Sequence, residues 1–115
     1  MLHVKLNFYQ AVSSLTSGIV AAGQYLQTES KQRKKCQIDL MIQTKYNQLY
    51  ICEIKFAKSE IGIEVIKEMK EKLKRLEFPK GFSYRPVLFH VNGVTDGILE
   101  SEYFSQIIDF GKLLE

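Results

Sequence analysis

Asp39, Glu53 and Lys55 are the residues in this 115-residue chain whose types and spacing could do chemistry. They fall in Gln37-Ile38-Asp39-Leu40 and, one hairpin later, in Ile51-Cys52-Glu53-Ile54-Lys55-Phe56. Side chains alternate faces along an extended strand, so Glu53 and Lys55 point the same way and Ile54 points the other. If the two segments pair as a hairpin, Asp39 arrives beside Glu53 on that same face. Two carboxylates and an ammonium on an otherwise apolar hairpin cost folding free energy unless a metal or a substrate uses them.

The elements that must position this trio can be read from periodicity. Residues 37–44 alternate Ile38, Leu40 and Ile42 against Gln37, Asp39, Met41 and Gln43, a strand with a period of two. Lys45 to Gln48 form a short turn in which Asn47 can take the left-handed conformation. Leu49 to Ala57 is the next strand, with Tyr50, Cys52, Ile54 and Phe56 expected on its core face. Upstream, Val4, Phe8, Ala11, Val12 and Leu15 have helical spacing, predicting an amphipathic helix over Val4 to Thr16, and Ile19 to Thr28 reads as a strand. Downstream, Ser59 is placed to cap a helix running to about Leu76, whose apolar face is Val65, Ile66, Met69, Leu73 and Leu76. Phe82 to Val91 is then a strand with a buried centre at Val87-Leu88-Phe89, followed by a short helical or irregular piece over Leu99 to Phe104. A last strand spans about Gln106 to Phe110, before a terminal turn. The predicted order is α-β-β-β-α-β-β, an α/β or α+β sheet flanked by helices, in one domain spanning 1–115.

Composition narrows the function classes. A 45% hydrophobic and 25% charged chain is an ordinary globular one and not a disordered one. A net charge of +3 tolerates an anionic partner without demanding one. No apolar run approaches the roughly 20 residues that span a bilayer, and no signal-peptide core is present, so a cytoplasmic protein is expected. In the hairpin register that sets Asp39 beside Glu53, Cys52 faces Leu40 and Cys36 lies about 13 Å further along. That exceeds the roughly 7 Å limit for a disulfide, so both thiols are expected to be reduced and at least half-buried. His90 reads as a core-edge histidine before it reads as a ligand. The basic run Lys31, Arg33, Lys34 and Lys35 is first a solvated loop, but its place just before the Asp39 strand keeps a phosphate-contact role open. Lys67, Lys70, Lys74 and Arg75 on the long helix are interspersed with Glu68 and Glu71, a solvated face first and a DNA-facing one second.

A helix, a three-strand meander carrying Asp and then Glu-x-Lys, a helix and a further strand together resemble the PD-(D/E)XK nuclease superfamily, with its restriction-endonuclease-like mixed central sheet. The resemblance covers most of the chain. Gln37-Ile38-Asp39-Leu40 with Glu53-Ile54-Lys55-Phe56 is most similar to the variant at the C-terminus of certain prokaryotic AAA-type ATPases. The resemblance implies Mg²⁺- or Mn²⁺-dependent hydrolysis of DNA phosphodiesters. It makes Asp39 and Glu53 metal ligands, the Ile54 backbone carbonyl a third, and Lys55 the catalytic base or charge stabiliser. Oxygen donors of this kind suit a hard cation, and an ammonium beside the phosphate offsets charge developing in the transition state. Gln37, two residues before Asp39 on the same face, is placed to touch water or phosphate. Lys31, Arg33, Lys34 and Lys35 are placed to touch DNA.

Two departures stand out. Ile38 occupies the position of the superfamily's proline, and residues 1–28 contain no acid, where many members carry a glutamate on the first helix. Gln10 is the polar residue there with comparable geometry. These departures leave a second reading: a catalytically inactive nuclease-fold module that binds nucleic acid through the basic run and the helix lysines, or serves an ATPase as an accessory domain. A third is a structural ion cluster of Asp39, Glu53 and Lys55 with no further role. The length fits a domain truncated at its N-terminus or excised from a longer protein as well as a free-standing minimal one. It leaves room for an ATPase domain or partner chain and for oligomerisation.

Overall fold

The computed structural model describes residues 19–31, 34–77 and 79–113. The helix expected over Val4 to Thr16, with Gln10, lies outside these residues, as does Arg33. The elements are β1 (Ile19–Gln27), β2 (Cys36–Thr44), β3 (Gln48–Lys55), α1 (Glu64–Arg75), β4 (Ser83–His90), α2 (Asp96–Ser101), β5 (Gln106–Asp109) and α3 (Phe110–Leu113). The five strands form one sheet in sequential order, β1-β2-β3-β4-β5. β1 pairs antiparallel with β2 and β2 with β3, whereas β4 pairs parallel with β3 and β5 parallel with β4. A tight turn joins β2 to β3, the longer segment 28–35 joins β1 to β2, and the parallel half is joined by crossovers, as strand direction requires.

The β2–β3 turn is held by Tyr46 at φ +68° and Asn47 at φ +57°, closing the pair Thr44↔Gln48. Asn tolerates this left-handed backbone, as the sequence anticipated, while Tyr46 takes it with its ring in solvent.

Two cores lie on opposite sides of the sheet. On one, Ile38, Leu49, Ile51 and Leu88 meet Val65 and Met69 of α1 and Leu76 just beyond its end, joined by Ile61 and Ile98. On the other, Leu40, Ile42, Cys52, Val87 and Phe89 pack with Phe110. β3 is consequently buried on both faces. Tyr50, Cys52 and Ile54 serve the second core as expected, but Leu49 and Ile51 serve the first, and Phe56 is exposed. A strand flanked by β2 and β4 and covered on both sides has no solvated face to alternate towards.

The bounds of three elements depart from expectation. α1 begins at Glu64 and not after Ser59, because Ile61 is held in a bridge with Val94: its N–H donates to Gly93 O at 3.0 Å and its carbonyl accepts from Thr95 N at 3.0 Å. The short helix near the C-terminus starts at Asp96 and ends at Ser101, and the last strand stops at Asp109 so that Phe110 can enter the second core edge-on to Phe89. His90 is buried at the end of β4 and accepts the Gly93 N–H on Nδ1 at 3.0 Å, a core-edge role. Cys36 and Cys52 are free and buried. No helix among the described residues is long and apolar enough to cross a membrane.

Candidate active site

Asp39 owes its position to a β-bulge. Against β1, Gly23 faces Met41 but Tyr25 faces Ile38, so β2 spends three steps where β1 spends two. The extra residue falls at Asp39–Leu40 and divides the strand's apolar side chains. Cys36 and Ile38 enter the helix-side core, whereas Leu40 and Ile42 enter the opposite one. The unbroken alternation expected over residues 37–44 is corrected at this point. The β2–β3 pairing runs from Thr44↔Gln48 to Leu40↔Cys52. Just beyond it, Asp39 replaces the ladder with its side chain, Oδ2 accepting the Ile54 N–H at 3.1 Å.

Glu53 follows Leu49 and Ile51 on the helix side of β3, and only 2% of it is exposed. A carboxylate at that depth requires partners. Both of its oxygens accept from the Lys72 ammonium, at 3.0 and 2.9 Å. Lys55 Nζ lies 3.7 Å from Glu53 Oε1 and 2.8 Å from Glu68 Oε2. The hydrogen bond to Glu68 raises Lys55 above the ordinary lysine range against the opposing effect of partial burial, and the charges of Glu53, Glu68 and Asp39 add to the rise. Lys55 is thus held as the ammonium, the form that stabilises negative charge and not the form that accepts a proton. Asp39, Glu53 and Lys55 come together at one end of β2 and β3, joined by Glu68 and Lys72 from α1.

Lys72 and Glu68 were not singled out in the sequence. A signal existed: Val65, Met69, Lys72 and Leu76 follow one helical stripe, so Lys72 interrupts the buried face. A third unforeseen residue is Gln27, 1% exposed at the end of β1. Its Nε2 donates to Lys34 O at 2.7 Å and Arg75 O at 2.5 Å, and its Oε1 accepts the Glu77 N–H at 3.1 Å. Gln27 ties the loop that carries the basic run to the end of α1.

Two open clefts flank this tie. One, of about 560 Å³, is lined by Lys35, Gln37, Asp39, Lys72 and Arg75, with Leu26 and Cys36. The other, of about 530 Å³, takes Lys31, Lys34, Lys74 and Arg75 together with Glu29, Glu71 and Glu77. Lys35 and Gln37 are therefore brought to Asp39, whereas Lys31 and Lys34 line the outer cleft. Lys70 is turned over the Tyr103 ring at 5.5 Å, away from both clefts' linings.

Carboxylate and carbonyl oxygens are the donor types that a hard divalent cation takes. Asp39 and Glu53 are carboxylates of adjacent strands, and the Lys72 ammonium is a stand-in cation to which Glu53 already presents both oxygens. Among the described residues no three Asp, Glu, His or Cys side chains converge closely enough to hold a metal. Completion of such a site would fall to backbone carbonyl and water, as hard cations permit.

No protein-family model matches the chain, and no curated protein matches it. Among solved structures it is similar to the crystal structure of a repair endonuclease from Pyrococcus abyssi, with a TM-score of 0.54 and 15% sequence identity over 91% of this chain. The match takes in 46% of that enzyme, so the chain spans less than half its length. The five-stranded mixed sheet with its helices is a restriction-endonuclease-like α+β fold, the nuclease-type fold that the order of elements predicted.

Proposed function

We propose that the chain is a metal-dependent nuclease domain of PD-(D/E)XK type acting on DNA, with Mg²⁺ or Mn²⁺ held by Asp39, Glu53 and the Ile54 carbonyl. The observation that carries this reading is the gathering of Asp39, Glu53 and Lys55 at one end of β2 and β3, with Asp39 lining a cleft whose other charged lining residues, Lys35, Lys72 and Arg75, are all cationic. The likeness to a repair endonuclease supports the same reading at the level of the fold. When bound, the cation would acidify a water and polarise the phosphate. Lys55, kept protonated by Glu68, would offset charge on the phosphoryl oxygens as it develops, and so acts as the charge stabiliser and not the base. Gln37 and Lys35 would hold the phosphate in the cleft. An ATPase module or partner chain as companion rests on the two tetrapeptides alone.

Cleavage of supercoiled plasmid and of branched oligonucleotides in Mg²⁺ or Mn²⁺ tests the reading. Wild-type protein is expected to cut, and Asp39→Ala and Lys55→Ala are expected to lose cutting by at least about 10²-fold while keeping cooperative unfolding. A wild-type protein inert on every substrate in Mn²⁺ refutes it. One observation favours the alternative of an inactive DNA-binding module: Lys72 occupies both oxygens of Glu53. Under that alternative Asp39→Ala leaves DNA affinity unchanged or tightens it, and the wild type never cuts.

A further inference from the structure

The Lys72–Glu53 contact has a consequence for any cation that enters the site. Lys72 Nζ is bonded to Oε1 and Oε2 of Glu53 at 3.0 and 2.9 Å, and Glu53 is buried against the helix-side core. Lys55 is a poor substitute, since its ammonium lies 3.7 Å from Glu53 and is drawn to Glu68 at 2.8 Å. Mg²⁺ and Mn²⁺ approach carboxylate oxygens to about 2.1 Å. An ammonium and a divalent ion on the same pair of oxygens would contend for the same lone pairs and repel one another in a buried setting.

The ammonium also has somewhere to go. Lys72 lines the cleft beside Asp39 with Lys35 and Arg75. Its backbone is fixed independently of its head group, because the Lys72 carbonyl accepts both the Leu76 N–H at 3.1 Å and the Cys36 thiol at 3.5 Å. Leaving Glu53 therefore requires rotation about side-chain bonds and no movement of α1.

Resting on the metal-dependent reading above, we propose that Lys72 is a resident counter-cation. It neutralises Glu53 while the site is empty of metal and is exchanged for the divalent ion, which sends its ammonium into the cleft as an added contact for a phosphate. Lys72 is thus a positioning residue that sets metal affinity and links metal arrival to the charge of the DNA-facing cleft.

Mn²⁺ alone is the probe, titrated into the full chain and followed by calorimetry and by the electron paramagnetic resonance of free Mn²⁺. Lys72→Met is expected to bind Mn²⁺ at least about tenfold more tightly than wild type, with Asp39→Asn abolishing binding in both backgrounds. Because Lys72→Met strands a buried carboxylate and can fail to fold, a wild-type measurement stands beside it. Reductive methylation read by mass spectrometry is expected to modify Lys72 several-fold faster at saturating Mn²⁺, with Lys67 unchanged. Equal Mn²⁺ affinities, or Lys72 methylation indifferent to Mn²⁺ that binds through Asp39, overturns the exchange and leaves the metal site standing. Absence of Mn²⁺ binding in the wild type together with the Lys72 variant overturns the metal reading itself.

Discussion

At the scale of single residues, the site is a balance between burial and charge, and Cys52 reports on it from the opposite side of the strand. Burial, reinforced by the charge of Asp39, pushes the Cys52 thiol up to about 12 from 9.0. The unfolded chain therefore releases this proton at about its ordinary value, while the folded chain keeps it through the next three units. Between those values the folded state binds more protons, so stability is fully present below pH 9 and falls as pH rises towards 12. The loss from this one group reaches about 4 kcal/mol at most. Urea unfolding of wild type and Cys52→Ala across pH 8 to 11 separates this group from the lysines and tyrosines that titrate in both proteins. The stability advantage of wild type over the variant is expected to shrink as pH rises. Parallel profiles would show that Cys52 does not ionise differently in the two states.

At the scale of elements, Gln27 couples two segments that carry the cationic residues. Its amide satisfies the carbonyls of Lys34 and Arg75 and the N–H of Glu77 in a buried position. Gln27→Leu keeps comparable volume but leaves those three backbone groups without their partner, and is expected to cost about 2–4 kcal/mol. Gln27→Glu restores the acceptor for Glu77 but sets a buried negative charge against two carbonyls, so it should be no better. Chemical denaturation measures both, and a loss below 1 kcal/mol would mean that water replaces the tie. This residue also marks the limit of what could be read from the sequence. Strand spans were legible because β2, β3 and β4 each carry a dense run of apolar residues bounded by turn or polar segments, and the gathering of Asp39, Glu53 and Lys55 at one end of β2 and β3 was legible because it needs only spacing within a hairpin. The bulge at Asp39–Leu40 was not, since an inserted residue changes register without changing composition. Ser59 suits a helix cap, yet the Ile61–Val94 bridge, a contact between segments far apart in the chain, delays α1 to Glu64. The partners of Lys72 and Gln27 were hidden for the same reason: Glu53 and Arg75 become their neighbours only after folding, although the place of Lys72 on the apolar stripe marked it as unusual.

At the scale of the whole molecule, a net charge of +3 is too small for indiscriminate attraction to DNA, so the arrangement of charge decides where a backbone lies. The outer cleft sets Lys31, Lys34, Lys74 and Arg75 against Glu29, Glu71 and Glu77, and Arg75 Nη2 is 3.4 Å from Glu71 Oε1. The inner cleft is lined by Lys35, Lys72 and Arg75 with Asp39 as its one acidic lining residue, and the Lys72 ammonium is paired with the buried Glu53 behind it. Phosphates should therefore concentrate at the inner cleft, and within the basic run Lys35 should count for more than Lys31, although sequence alone ranks them together. Each lysine or arginine that neutralises a duplex phosphate steepens the dependence of log affinity on log salt by about 0.9. Lys35→Ala and Arg75→Ala are each expected to reduce that slope by close to one unit, and Lys31→Ala by a small fraction of one. Fluorescence anisotropy of a labelled duplex, titrated in chelator between 50 and 200 mM salt, measures the slopes without cleavage. Gln37→Ala should weaken binding at every salt concentration without changing the slope, because an uncharged contact releases no counterion. Equal slopes for the Lys31 and Lys35 variants would move the DNA path to the outer cleft and detach it from Asp39; an unchanged slope in all three charge variants would remove DNA from this face of the molecule altogether.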